Sequence, residues 1–376
     1  MTARPVEVTV APIVPIVPIV AARPIVAARP MVRLTPPRAL LLLAVALVVV
    51  AIVALGVGAV KLSPGEVLAA LGRRLGLELP WTVGAREELI VCSLRLPRIV
   101  LAMLVGAALA GAGAGMQGLV RNPLADPALV GVSNGAAFAA VAYIVVGHPL
   151  ALALPSLAPW LLPAAAFVGA IVATGLAVSL ARRDGRISPS SLILAGVGVA
   201  SLAGAGVGLM LFVANDAQLR SVTFWTLGSL GGASWTLTGV VALPVGIALA
   251  MLFAQRDALD RLLLGEAEAR HLGLEPERVT RRVVVAVALA VGAAVAACGV
   301  IAFVGLVVPH LVRGWLGPSH RWLLPASVLG GALLLVAGDT VARVIVAPAE
   351  LPVGIVTALV GAPVLLVMVI RGEVAS

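Results

Sequence analysis

Chemistry-bearing residues are sparse in this chain of 376 residues, which has 4 His, 2 Cys and 17 Asp plus Glu. They concentrate in one place. Between Arg256 and Arg282 lie six acids (Asp257, Asp260, Glu266, Glu268, Glu275, Glu277) and six arginines (Arg256, Arg261, Arg270, Arg278, Arg281, Arg282), in the stretch that ends LLLGEAEARHLGLEPERVTRR. A lipid-headgroup patch would be basic, so this balanced island points elsewhere. Gly265 and Gly273 bracket EAEARHL, a helix of about two turns whose first-turn acids suit the helix dipole. Pro276 suits the first turn of a following helix. The island is either a solvated hairpin or, with Ala269 and Leu272 beside the charges, a short helix shaped to enter a groove on a soluble partner.

The other candidates argue mostly by what they exclude. Cys92 and Cys298 lie far apart without CxxC spacing and are read as packing residues; the four histidines are scattered, so no metal site is expected. His310, in VVPHLVR, is a polar packing residue near a helix end. Lys61 is the only lysine and follows GVGAV, without the phosphate-cradling G-x-x-x-x-G-K-[ST] pattern. ATP, if used, must be hydrolysed by another chain. No HExxH pair occurs, and the one G-x-S-x-G match, GVSNG at Gly131–Gly135, holds Ser133 and Asn134, read as capping residues, so neither an enzyme nor a resident cofactor is expected. In RNPLADP (Arg121–Pro127) the Asn-Pro and Asp-Pro steps form a structural corner, and Ser133 and Asn134 are capping residues. Asp339 and Glu350 bracket Arg343, with an ion pair or cap as the default and proton coupling as the sharper alternative. The net charge of +9 comes without a basic stripe interleaved with aromatics, which argues against nucleic acid.

The elements that must position these residues are membrane helices. The chain is 61% hydrophobic with a mean hydropathy of +1.14, and its apolar runs of about 18 to 25 residues match the length needed to cross a bilayer. Forty glycines suit helices that approach closely through small residues. Residues 1–38 carry APIVPIVPIVAARPIVAARP and five arginines. Their prolines block a continuous helix, so they form either a disordered tail or a segment upstream of the true start. Spans are expected at about 39–60, 97–119, 128–147, 160–181, 191–213 and 236–254. Val283–Val312 would be about 45 Å long as one helix, so it is divided near Gly299 or Gly305 into spans at about 283–298 and 300–312. Spans at about 322–338 and 352–370 follow. This all-α arrangement puts most Lys and Arg, both termini and the segment 256–282 in the cytoplasm. The organisation is thus a 1–38 tail and a 39–376 ten-helix domain.

LRLPRIVLAMLVGAALAGAGAGMQGLVRNPLADPALVGVSNGA (Leu94–Ala136) resembles the signature region of the FecCD-like permeases, membrane subunits of bacterial ABC importers for iron–siderophores, haem and vitamin B12. The likeness continues, in order, through FWTLGSLGGASW, GEAEARHLG, IAFVGLVVPHLVR and DTVARVIVAPAELPVGIVTALVGAPVLL, and covers about residues 39–370. It implies a type II ABC importer permease in the cytoplasmic membrane: a homodimer in lipid, two cytoplasmic ATP-binding subunits and an extracytoplasmic binding protein. It also implies that Gly265, Glu266, Ala269, Arg270, Leu272 and Gly273 belong to a coupling helix that meets the ATPase. Arg95, Arg98 and Arg343 stand on the outer side against the positive-inside trend; they are read either as snorkelling residues or, by the resemblance, as docking points for the binding protein. Ser188, Ser190 and Ser191 are either caps or part of a cytoplasmic gate. The substrate implied is a large metal chelate, with Fe(III)–siderophore first and haem or vitamin B12 as alternatives. An ion-coupled secondary transporter is the rival from another class. It would need ionisable residues at mid-membrane, and the expected span centres are nearly free of them.

Overall fold

Two helices that run antiparallel, 200 residues apart in sequence, form the axis of the protein, and the rest packs around them. The computed structural model describes residues 35–370 apart from 59, 78, 184, 185 and 348. The expected 1–38 tail therefore falls almost wholly outside the described residues, as do the last six residues. The helices are α1 (Pro36–Gly56), α2 (Pro64–Arg74), α3 (Ala85–Leu89), α4 (Leu96–Val120), α5 (Val132–Val146), α6 (His148–Ala153), α7 (Ala158–Ala181), α8 (Pro189–Val213) and α9 (Asp216–Thr226). They continue with α10 (Trp235–Ala254), α11 (Arg256–Leu262), α12 (Glu266–His271), α13 (Pro276–Cys298), α14 (Val304–Leu316), α15 (His320–Ile345) and α16 (Val353–Ile370). A two-residue antiparallel ladder, Arg182–Arg183 with Arg186–Ile187, closes the turn between α7 and α8.

Among the described residues eight helices are long and apolar enough to cross a bilayer; Val132–Val146 and Val304–Leu316 are shorter apolar helices. Each of the ten expected spans thus has a helix, with two of them short. The division inside Val283–Val312 falls at Gly299, whose φ of 73° ends α13. Gly305, the other candidate, lies inside α14. The second span is longer than expected, because α3 runs through a π-helical turn (Ile90–Arg95) into α4, giving 36 continuous residues from Ala85 to Val120.

Helix α4 is the hub. Its ALAGAGAG run has no polar face, and every residue from Val105 to Leu119 is buried, as expected of a helix that is apolar all round. Small residues let its neighbours come close, which supplies packing where lipid gives no hydrophobic drive. A Cβ on Gly106 would collide with the Gly331 carbonyl of α15, and one on Gly113 with the Gly305 carbonyl of α14. Gln117 Nε2 donates to the Leu306 carbonyl at 3.2 Å. A second group, α5, α7 and α8, packs through Gly135 against Gly169 and through Gly196 against the Leu129 carbonyl. Helix α13 joins the groups, with Gly292 facing Phe167 and Ala170.

Three irregular segments meet where α9, α13 and α16 end or begin. Ser229 N–H donates to the Cys298 carbonyl at 2.7 Å, and Gly354 N–H to the Gly228 carbonyl at 3.3 Å. Gly228 and Gly299 both have positive φ, and so does Phe303, a non-glycine residue at 68°. Non-helical backbone at membrane depth has to find its partners within the protein, and here the segments supply one another.

Candidate functional site: a coupling segment and a charge cluster at opposite ends of one helix pair

The charge island folds as two short helices and the first turns of α13. Helix α11 buries Leu259 and Leu262 and places Asp260 at the N-terminus of α15. Gly265, with φ 115° and ψ 152°, adopts a conformation open essentially to glycine alone, and it starts α12 with Glu266 and Glu268 in its first turn. Gly273 ends it at φ 77°. Gly273 N–H donates to the Arg270 carbonyl at 2.9 Å and Leu274 N–H to the Ala269 carbonyl at 3.0 Å, the two bonds of a Schellman motif. The glycine-bracketed helix expected from the sequence is therefore present, ending at His271 with Leu272 as its C-cap.

The six residues expected to meet a partner divide by direction. Ala269 is 0% exposed and faces the chain's own body, which corrects the expectation that it lies at the contact. Leu272 is 54% and Leu264 63% exposed, an apolar pair flanking α12. Leu264 belongs to the LLL run before Gly265, where nothing in the sequence separates it from its apolar neighbours. Arg270 pairs with Glu277 at 2.6 Å, and Glu266 stands 3.8 Å from Arg121, so α12 is tied to α13 and to the C-cap of α4. Arg121 itself has a left-handed backbone, φ 56°. Beyond it, the RNPLADP corner is an Asx structure: Leu124 N–H donates to Asn122 Oδ1 at 2.9 Å and Ala128 N–H to Asp126 Oδ1 at 2.7 Å. Burial pushes the Asp126 carboxyl above its usual range.

Asp260 makes a contact the sequence did not reveal. Its Oδ1 accepts from the His320 backbone N–H at 2.7 Å and lies 2.7 Å from His320 Nδ1, while its Oδ2 accepts from Ser319 Oγ at 2.9 Å. His320 is fully buried. Its ring lies against Gly118 of α4, where a Cβ would collide with the imidazole. The only signal in the sequence was a Ser-His pair just ahead of an apolar run, and a partner 60 residues upstream cannot be read from that.

At the other end of α4 and α15 the three arginines gather, and the structure turns them inward. Arg95 and Arg343 are buried and Arg98 nearly so. Arg98 grips Asp339 with Nε at 3.1 and 3.0 Å and Nη2 at 2.8 Å, and donates through Nη1 to Glu350 at 2.8 Å. Arg343 Nε lies 3.2 Å from Asp339, and its Nη atoms donate to the Val57 and Ala54 carbonyls at 3.3 Å. Arg95 donates to the Leu55 and Val60 carbonyls. The last turn of a helix leaves carbonyls without intrahelical partners, and here two guanidinium groups satisfy those of α1. This corrects the expectation of arginines presented to a partner: their planar donor forks have internal acceptors, and Glu350 is the most exposed member of the cluster. The ion-pair reading of Asp339, Arg343 and Glu350 is the one the geometry bears out.

Ser188 caps α8. Its Oγ accepts from Ser191 N–H at 3.1 Å and donates to Ser191 Oγ at 2.8 Å, while Ser190 is exposed. Elsewhere, α9, α16 and residues around Val300 wall an open apolar cavity of about 530 Å³, lined by Leu227, Val300, Ala358 and Leu366 among others. Among the described residues no group of three or more His, Cys, Asp or Glu could hold a metal ion.

A bundle of long apolar helices around a buried glycine-rich hub defines a multi-pass membrane protein. The chain belongs to the FecCD transport family, whose model matches residues 46–371. It is 40% identical to the hemin transport system permease HmuU of Yersinia pestis, over 90% of this chain and 97% of that protein. It is 46% identical to the vitamin B12 import system permease BtuC of Vibrio cholerae, over 76% and 84%. A solved ABC transporter of metal-chelate type, in an inward-facing conformation, shares 30% identity over 89% of this chain and 99% of that one, with a TM-score of 0.76.

Proposed function

We propose that this chain is the membrane-spanning subunit of an ATP-driven importer that carries a large metal chelate across the cytoplasmic membrane, with ATP hydrolysed on two separate subunits. The observation that carries this reading is α12: a short helix fixed by glycines at both ends, tied to the body by ion pairs, with Leu264 and Leu272 left bare to a partner. Exposed leucines beside charges are ill suited to the bilayer core and well suited to a cleft on a water-soluble protein. In this reading the α12 end and both termini are cytoplasmic, two copies of the chain pair, and the opposite end receives a binding protein. Arg95, Arg98 and Arg343 would then stiffen the receiving surface from below, with Glu350 at its rim. Ser188, Ser190 and Ser191 lie at the cytoplasmic mouth of α8, where a gate would stand.

Within the chelate class, Fe(III)–siderophore is the reading that the family resemblance puts first. The hemin and vitamin B12 named for the two relatives favour a second reading, a macrocyclic chelate. Specificity between the two can reside in the binding protein rather than in this chain. Co-purifying the cognate binding protein and identifying its ligand by mass spectrometry decides between them. A ligand that carries no metal would overturn the class.

A further inference from the structure

The α4 and α15 helices are joined to the charge island at one end and to each other at the opposite end. At the island, Asp260 of α11 holds the first residues of α15 through three contacts with Ser319 and His320. The His320 ring is wedged against Gly118 of α4, and Arg121, one residue past α4, reaches Glu266 of α12. Along their length the two helices touch backbone to backbone at Gly106 and Gly331. At the far end Arg98 and Asp339 close the pair with a bidentate contact. Close-packed cores transmit displacement rather than absorbing it.

We infer that the Asp260–His320 contact is the joint through which movement of the charge island is delivered to the α4–α15 pair, and through it to the end that carries Arg98 and Asp339. Both residues are then positioning residues of the transport cycle. The inference rests on the reading of α12 as the ATPase contact. A chain of contacts becomes a transmission path only when a change at one end is shown to move the other. The alternative is that Asp260 merely caps α15, which would anchor the helix without carrying motion.

The test uses the full chain assembled with its ATPase in lipid nanodiscs. Spin labels at Lys61→Cys and Arg220→Cys, both exposed and both at the end remote from α12, report a distance by pulsed electron resonance. Native Cys92 and Cys298 are buried. The labelled parental complex should show a distance shift between the nucleotide-free and ATP–vanadate states. In Asp260→Ala/His320→Ala with the ATPase still bound, that shift should fall at least twofold. Asp260→Asn keeps an acceptor oxygen and should retain it. Leu192→Ala, a buried truncation in α8, controls for lost stability and should also retain it. An undiminished shift in the double variant, or no shift in the parental complex, overturns the inference. If the double variant does not assemble, Asp260→Ala alone is read, with Ser319→Ala expected to give a smaller loss; an undiminished shift in Asp260→Ala overturns it. Failure of the α12 reading is seen separately, as retention of the ATPase by Leu272→Asp.

Discussion

Arg98 and Asp339 stand 241 residues apart and meet in a two-pronged ion pair, 2.8 to 3.1 Å, with the Asp339 side chain only 2% exposed. Asp339 also faces Arg343, so one buried carboxylate balances two guanidinium groups.

Removing that carboxylate should therefore be costly. Asp339→Ala leaves Arg98 and Arg343 facing each other inside the protein, and breaking a buried pair in this way costs about 3–5 kcal/mol. Glu350→Gln removes an exposed partner of Arg98 and should cost under about 1 kcal/mol. Thermal unfolding of the two variants in detergent measures the difference. Similar midpoints would show that the cluster contributes little to stability.

The helix crossings give a second contrast. Gly106→Val would drive two methyl groups into the Gly331 backbone, whereas a Cβ at Gly246 of α10 meets nothing within 4 Å. Overpacking typically costs about 1–3 kcal/mol and more against backbone. Gly246→Ala should be neutral or stabilising by about 0.4–1 kcal/mol. The yield of monodisperse protein on size-exclusion chromatography reports both.

Leu272→Asp should insert normally and fail to retain the ATPase, because burying an unpaired carboxylate at an apolar contact costs several kcal/mol. Glu275→Gln, which touches only the exposed Arg278 pair, should change binding by under about 1 kcal/mol. Affinity for the purified ATPase is the measurement. Parental affinity in Leu272→Asp would leave α12 a solvated hairpin.

Sidedness is checked by labelling. With the native cysteines replaced, Lys61→Cys should react with an impermeant maleimide on intact cells. Glu268→Cys should react only after permeabilisation. The reverse pattern would invert the orientation of the permease.

Most of the fold was legible because membrane helices announce themselves by length. The ambiguous Val283–Val312 run offered two breaks, and the chain uses Gly299 while Gly305 stays helical. Helix α12 was legible because Gly265 and Gly273 are local signals: each fixes a turn within its own few residues. The arginines were legible only as an anomaly. Arg343 and Asp339 sit four residues apart on one helix, a spacing the sequence offers, but the other partners, carbonyls at and just beyond the end of α1 and, for Arg98, a carboxylate 241 residues away, follow no spacing rule. Ala269 shows the same limit at short range. A two-turn helix has an inner and an outer face, and the sequence did not say which side the body would take.

The carbonyls of Ala54 and Val57 receive their donors from Arg343, 289 and 286 residues later. At roughly 5–20 residues per second of synthesis, the end of the first span waits on the order of 15–60 s for that donor. Arg95, whose own acceptors are the Leu55 and Val60 carbonyls, arrives much sooner, so the acceptors around the end of the first helix are met by two donors made at very different times. Only a ribosome that has read past codon 343 can release a permease whose first helix is finished.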